Sequence, residues 1–451
     1  MNSFVRALRT PELRAKLLFT LGLIAVYRLG VFIPTPGFDA TNVMMCADQA
    51  ASGQGANVLG MVNMFSGGAL LQLSVFSLGV MPYITASIIV QLLRVVIPRF
   101  EALHKEGASG TAKLTQYTRY LTIGLGVLQA TTIITLVRSG NFFVGCTLEL
   151  VPDQSIPTLL IMVLTMTVGT VLIMFMGEMI TERGVGNGMS LMIFSSIAAS
   201  FPASFGQVWQ LKGWITFTLV MLVGLLIMVG MVFVEQSQRR IPVQYAKRMV
   251  GRRMYGGTST YIPIKVNQAG VIPVIFASSI LALPQMAASF GDPSAGWVQW
   301  INTHLVLGAS FSWIYAVVYV ALIVFFAFFY VSITFNAEEI ADNMKKYGGF
   351  VPNVRAGKPT ERYLRYVINR IQSGGAVYLA VICLIPLVAL FYLGTSQDFP
   401  LGGVSLLIVI GVGLDTVKQI DAKLQQHHYE GILRGPPPPP RTARPPPPAA
   451  C

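Results

Sequence analysis

Ten apolar stretches recur along this chain, at roughly 17–33, 75–97, 120–137, 157–177, 188–203, 214–234, 270–288, 313–335, 376–393 and 401–417. Each is near the ~20 residues that a helix needs to cross a bilayer. Hydrocarbon leaves no solvent for backbone amides, so runs of this kind are read as helices that satisfy their own hydrogen bonds. Composition agrees: only 11% of residues are charged, against about 25% in a soluble domain. The chain therefore reads as an all-α polytopic membrane protein with ten transmembrane helices. Its N-terminus, MNSFVRALRTPELRAK, is basic and amphipathic. The apolar run after it has no small-residue cleavage site, so the first span is expected to be retained.

Charge sets the expected orientation. With the N-terminus inside, all of the 32 lysines and arginines except Arg28, Arg138 and Lys212 fall in or beside inside segments. Asp39, Asp48, Glu149, Asp153, Asp292 and Asp398 fall in outside loops. This asymmetry predicts cytoplasmic N- and C-termini. The net charge of +13 becomes a cytoplasmic surface charge, suited to anionic lipids or to a docking partner.

Five spans precede the middle of the chain and five follow, which places the two halves in opposite orientations, as in inverted repeats. The expected layout is a cytoplasmic amphipathic segment over 1–16, a first half over 17–203 and a second half over 204–419. A cytoplasmic segment over 420–434 and a Pro-rich tail over 435–451 follow. The tail is either a disordered extension or an expression remnant, and it has no core-forming residues. Two inside loops, 235–269 and 336–374, exceed the usual length of unstructured connections. In the first, MVGRRMYGGTSTYIPIKV has strand-like runs flanking Gly-Gly; the second opens with a polar helical stretch, NAEEIADNMKKYGGF. Cys46 and Cys146 both fall in outside loops, where a disulfide can form, although two lone cysteines more often stay unpaired.

The spans offer little chemistry. None contains histidine, and Arg28, Glu178 and Asp415 sit near span ends. No Ser/His pair, carboxylate pair or metal-ligand spacing is present, and no cofactor is implied. This argues against an enzyme, an intramembrane protease and a proton-coupled carrier, which needs buried titratable groups. Span 2 (GVMPYITASIIVQLL) and span 7 (AGVIPVIFASSIL) instead combine small and hydroxyl residues with Pro82 and Pro273, read here as kinks. One piece, 59–73, is apolar but too short to span. It includes NMFSGGAL, with a Ser-Gly-Gly break.

At these residues the sequence resembles the bacterial SecY family, whose members form the pore of the protein-conducting translocon. The resemblance rests on NMFSGGAL, LGVMPYITASIIVQLL, KEGASGTAKLTQYTRY, GEMITERGVGNGMSL, QRRIPVQYAKRMVGRR, KVNQAGVIPVIFASS, FNAEEIADNMKKYGGFVPNVRAGKPT and GGVSLLIVIGVGLD. It implies two inverted five-helix halves, hinged between spans 5 and 6, around an hourglass pore in the plasma membrane. Its waist would be a ring of Val80, Ile84, Met189, Ile193, Ile275 and Ile408. The family often has isoleucine where this chain has Val80 and Met189. A short plug helix over 59–73 would carry Asn63, Met64, Phe65, Ser66, Gly67 and Gly68. A lateral gate would lie between Ser87, Ile88 and Gln91 of span 2 and Phe276, Ser278 and Ser279 of span 7. Arg252, Arg253 and Arg355 would dock the ribosome and the SecA motor ATPase. The implied partners also include SecE and SecG subunits, SecD/SecF, and secretory and membrane-protein nascent chains. The competing reading is a secondary solute transporter, because inverted repeats and broken helices also occur there.

Overall fold

The computed structural model describes residues 10–52, 66–138, 140, 142–143, 146, 148–245, 248–250, 253–255, 259–290, 295–305, 312–393 and 403–433. Asn63, Met64, Phe65, Arg252 and the Pro-rich tail lie outside the described residues.

Each of the ten apolar stretches carries helix. The first seven helices are α1 (Pro11–Val31), α2 (Ala40–Ser52), α3 (Met81–Val96), α4 (Pro98–Lys105), α5 (Ala108–Arg138), α6 (Ile156–Arg183) and α7 (Gly188–Gln236). After strands β1 (Gln238–Tyr245), β2 (Arg248–Val250), β3 (Arg253–Tyr255) and β4 (Ser259–Lys265) come α8 (Ile272–Phe290), α9 (Gly296–His304), α10 (Trp313–Thr334) and α11 (Ala337–Lys346). Strand β5 (Gly349–Phe350), α12 (Lys358–Leu393) and α13 (Gly403–Leu433) complete the order. Among the described residues, five helical segments have the length and apolarity to cross a membrane: Ala108–Arg138, Ile156–Arg183, Gly213–Gln236, Trp313–Lys346 and Lys358–Ile385. Helix α6 shows what this surface is built for. Ile156, Leu160, Leu164, Val168 and Leu172 form an exposed stripe at every fourth position, while Met162, Met166, Ile173 and Gly177 face inward. A helix that is apolar all round belongs in lipid.

Three local features depart from the sequence reading. Span 2 was expected to be helical from 75, but helix α3 starts only at Met81, and residues 67–80 run as turns. Positive φ at Gly67, Gly68, Leu73 and Gly79 excludes a helix there. The backbone is satisfied in other ways: Val75 N donates to Ile33 O at 3.0 Å, and Ser77 N to Ser74 O at 2.9 Å. Pro82 is therefore no kink, since it occupies the first turn of α3; Pro273 likewise stands at the second residue of α8. Proline is tolerated there because the first helical N–H groups have no acceptor. Spans 5 and 6 form one continuous run, α7, interrupted at Gly213 with φ +76 and ψ 174.

The loop expected at 235–269 is an ordered sheet. Strand β1 is central in the order β4-β1-β5, all antiparallel, with Ile241 opposite Ile262 and Gln244 opposite Ser259 and Phe350. Strands β2 and β3 make a separate hairpin, Met249 opposite Met254. Ile241, Val243 and Ile264 of this sheet pack on Met344 of α11 and on Leu364, Val367 and Ile368 of α12. Asn336 caps α11, its Oδ1 accepting from Glu339 N at 3.3 Å.

Cys46 of α2 is bonded to Cys146, with Cα atoms 5.6 Å apart. The bond sits in a cluster with Leu70, Leu73, Ile134, Phe142, Phe143 and Met162. Nearby, Asp153 precedes α6 and accepts from Ser155 N at 3.1 Å and Thr158 Oγ1 at 2.8 Å. These hydrogen bonds hold its carboxyl below the ordinary aspartate value.

Candidate functional site

One buried, mostly aliphatic cluster gathers the expected ring residues. Val80 stands immediately before α3, and Ile84 lies one turn along it, its N–H donating to Val80 O at 3.1 Å. Met189 and Ile193 are four residues apart in the first turns of α7, on one face of that helix. Asn187 caps this start, its Oδ1 accepting from Met189 N at 3.2 Å and Ser190 N at 3.4 Å. Ile275 lies in the first turn of α8, and Ile408 in α13. Val80, Met189, Ile193, Ile275 and Ile408 are all buried in the same cluster, with Ile84 packed against it. Four of the six precede the Gly213 break and two follow it, so both parts of the chain contribute.

The turn segment that follows Ser66 joins this cluster through Ala69, which is fully buried in it. Two neighbours on α1 hold the segment in place. The Tyr27 hydroxyl lies 2.7 Å from Ser196 Oγ of α7 and donates to Ser66 O at 3.4 Å. Arg28 Nη1 donates to Gly67 O at 3.0 Å. Ser66 Oγ accepts from Leu70 N at 3.1 Å. The sequence places Arg28 near a span end without naming a partner for it. The structure gives it a backbone carbonyl. Tyr27 was missed, and its only signal in the sequence is a polar tip beside that arginine.

Ser87, Ile88 and Gln91 of α3 are half-buried, and Gln91 Nε2 donates to Ser87 Oγ at 3.4 Å within the helix. Helix α8 lies against α3. Its Phe276 is buried and packs edge-on against Phe326 of α10 at 5.4 Å. Ser278 Oγ donates to Ile275 O at 2.9 Å, whereas Ser279 Oγ is buried without a partner among the described residues. Arg253 lies in β3. Arg355 is exposed beyond β5, and its carbonyl accepts from Thr360 Oγ1 at 2.8 Å. The two therefore sit on the sheet side, away from the aliphatic cluster.

Three polar contacts near the helix ends went unread. Arg119 of α5 donates to Glu178 of α6 through Nε at 3.0 Å and Nη2 at 2.7 Å. Asn267 Nδ2 donates to Glu235 at 2.6 Å. Lys265 pairs with Asp415 at 3.1 Å. Each joins residues at least 32 apart in sequence, beyond the reach of local pattern. Among the described residues no cluster of three metal-ligating side chains occurs.

Lipid-length apolar helices, together with a buried aliphatic cluster built from both parts of the chain, define a multi-pass helical membrane protein. A family model described as SecY matches residues 74–417. The protein translocase subunit SecY of Streptomyces coelicolor is 60% identical over 444 residues, covering 96% of this chain and all of that protein. The Mycobacterium bovis subunit is 54% identical over 442 residues, with the same coverage. The chain belongs to the SecY family. Among solved structures, one described as a protein conducting channel superposes with TM-score 0.63 at 16% identity, covering 92% of this chain and 94% of that one. Canine Sec61 from a ribosome-channel complex superposes with TM-score 0.59, again at 16% identity and with the same coverage. These likenesses concern the fold.

Proposed function

We propose that this chain is a protein-conducting channel that passes unfolded secretory polypeptides across the bacterial plasma membrane and releases transmembrane segments sideways into lipid. One observation carries the reading: six aliphatic side chains from four separate parts of the chain converge on a single cluster. An aliphatic constriction resists wetting and so blocks ions. It also offers no hydrogen bonds, so an extended polypeptide of any sequence can slide past it. The segment at 66–73, packed on this cluster and held by Tyr27 and Arg28, is the root of a displaceable plug. Helices α3 and α8 form the lateral gate. Their polar groups are largely spent within their own helices, which suits a seam that parts for a single apolar segment.

In this reading the sheet formed by β4, β1 and β5 is cytoplasmic, both termini are cytoplasmic, and the halves 17–203 and 204–419 are inverted. Arg252, Arg253 and Arg355 offer guanidinium forks to RNA phosphates or carboxylates, and so serve the ribosome and the SecA motor. SecE, SecG and SecD/SecF complete the assembly. The chain provides a path and no catalysis; the energy comes from translation or from the motor.

The test is to reconstitute the chain with its small partner subunits and stall a secretory polypeptide in it. Crosslinking probes at Ile84, Ile193, Ile275 and Ile408 are expected to capture that polypeptide. Silence at all four positions defeats the reading.

A further inference from the structure

A cavity of about 320 Å³ adjoins the aliphatic cluster on the side that faces the sheet. Its walls come from the start and the end of α7, the link from β4 to α8, Tyr330 of α10, and α13. Val271 and Val412 line it and also pack in the aliphatic cluster, so the two sites share a wall.

Two acceptors in its wall have no donor among the described residues. Asn267 is only 2% exposed. Its Nδ2 donates to Glu235 Oε1 at 2.6 Å and to Gly270 O at 3.2 Å. Both partners accept only, which fixes the orientation of the amide and turns Oδ1 away from them. Among the described residues that oxygen is buried without a partner, and so is Gln268 Oε1 beside it. Lys265 is engaged with Asp415 at 3.1 Å, and Glu235 has no ion pair among the described residues. Buried acceptors without donors are costly. An ammonium brings three donors and a guanidinium five, and neither carries an acceptor.

We infer that this cavity binds the ammonium or guanidinium of a basic side chain on the polypeptide entering the channel, an inference that rests on the proposed function. The shared wall is the reason for naming the polypeptide as the source. Secretory segments begin with a positively charged region followed directly by an apolar one. A cavity with Glu235 and two unpartnered acceptors in its wall, set against an aliphatic waist, matches that order of charge and apolarity.

The test uses the full chain reconstituted with its partner subunits and a photo-crosslinking amino acid in place of Gln419, an exposed residue on the cavity rim. Stalled secretory polypeptides carry either lysines or glutamines in their leading segment. The lysine chain is expected to crosslink about tenfold more strongly, the size of one charge-assisted hydrogen bond. Glu235→Gln is expected to abolish that preference, and Gln268→Met, which leaves the Glu235–Asn267 bond in place, to reduce it. Crosslinks from Ile193 and Ile408 stay unchanged in both variants. Equal crosslinking of the two polypeptides, with those at Ile193 and Ile408 intact, overturns the inference and leaves the channel reading standing. Protection of the rim by spermidine without any lysine preference assigns the cavity to a free cation and likewise overturns it. Loss of crosslinks at Ile193 and Ile408 as well removes the channel reading and this inference together.

Discussion

Gly67 and Gly68 both take positive φ, at +68° and +94°, yet alanine should act very differently at the two. A Cβ at Gly68 would meet nothing within 4 Å. Only the left-handed backbone resists it, by about 1–2 kcal/mol. A Cβ at Gly67 would lie 2.7 Å from Arg28 Nη1 and 3.0 Å from both Cα and Cβ of Ser196. The Ser196 backbone belongs to α7 and cannot retreat. The turn segment must therefore lift, and the 3.0 Å bond from Arg28 to Gly67 O goes with it. A hydrogen bond from a charged donor contributes about 1.5–3 kcal/mol, so Gly67→Ala should exceed Gly68→Ala by about 2 kcal/mol. In the ratio of seated to unseated plug that is roughly 30-fold. The assay is ion conductance through the reconstituted, idle channel in a planar bilayer. Gly67→Ala is expected to leak steadily, and Gly68→Ala to leak roughly 30-fold less. Equal conductance of the two variants would refute the steric argument, because the backbone cost alone does not separate them.

Other perturbations follow from contacts already described. Glu178→Ala removes the bidentate partner of Arg119, whose side chain is 32% exposed against 14% for Glu178. A loss of about 1–2 kcal/mol is expected, partly screened by that exposure, and a double-mutant cycle with Arg119→Ala should return a favourable coupling energy. Reducing Cys46–Cys146, whose ends are 100 residues apart, should destabilise the protein by about 2–4 kcal/mol, read as a lower melting temperature in detergent; an unchanged value would count against a structural bond. Asp153 has a depressed folded-state pKa. Its contribution to stability is therefore present above the ordinary aspartate pKa and lost as pH falls through the lowered one. Asp153→Asn should flatten melting temperature against pH in that acidic window, lowering it at neutral pH and leaving it nearly unchanged below the lowered pKa.

How much of this was legible in the sequence depends on range. The apolar stretches are legible because the bilayer imposes their length, and each of the ten carries helix. Hydropathy cannot separate a helix from a buried turn, however, and residues 75–80, VFSLGV, are as apolar as any span. Their backbone is satisfied by turn bonds and by Ile33 O instead. The prolines misled for a related reason: the sequence shows that Pro82 breaks something, not that α3 begins there. The six aliphatic positions came from resemblance to a family, because nothing in the local pattern distinguishes Ile193 from a dozen other buried isoleucines. Tyr27, Ser196, Glu235 and Asn267 gain meaning only when distant segments meet.

The Cys46–Cys146 bond also keeps a history. Cytosolic reductants keep thiols apart, and stable disulfides form on the oxidising side of a membrane. In the proposed orientation both cysteines must have crossed before the bond can close, and α5 must already be placed between them. Blocking free thiols at intervals after synthesis would therefore date the moment at which the first part of this chain is threaded, making the protein a clock for its own insertion.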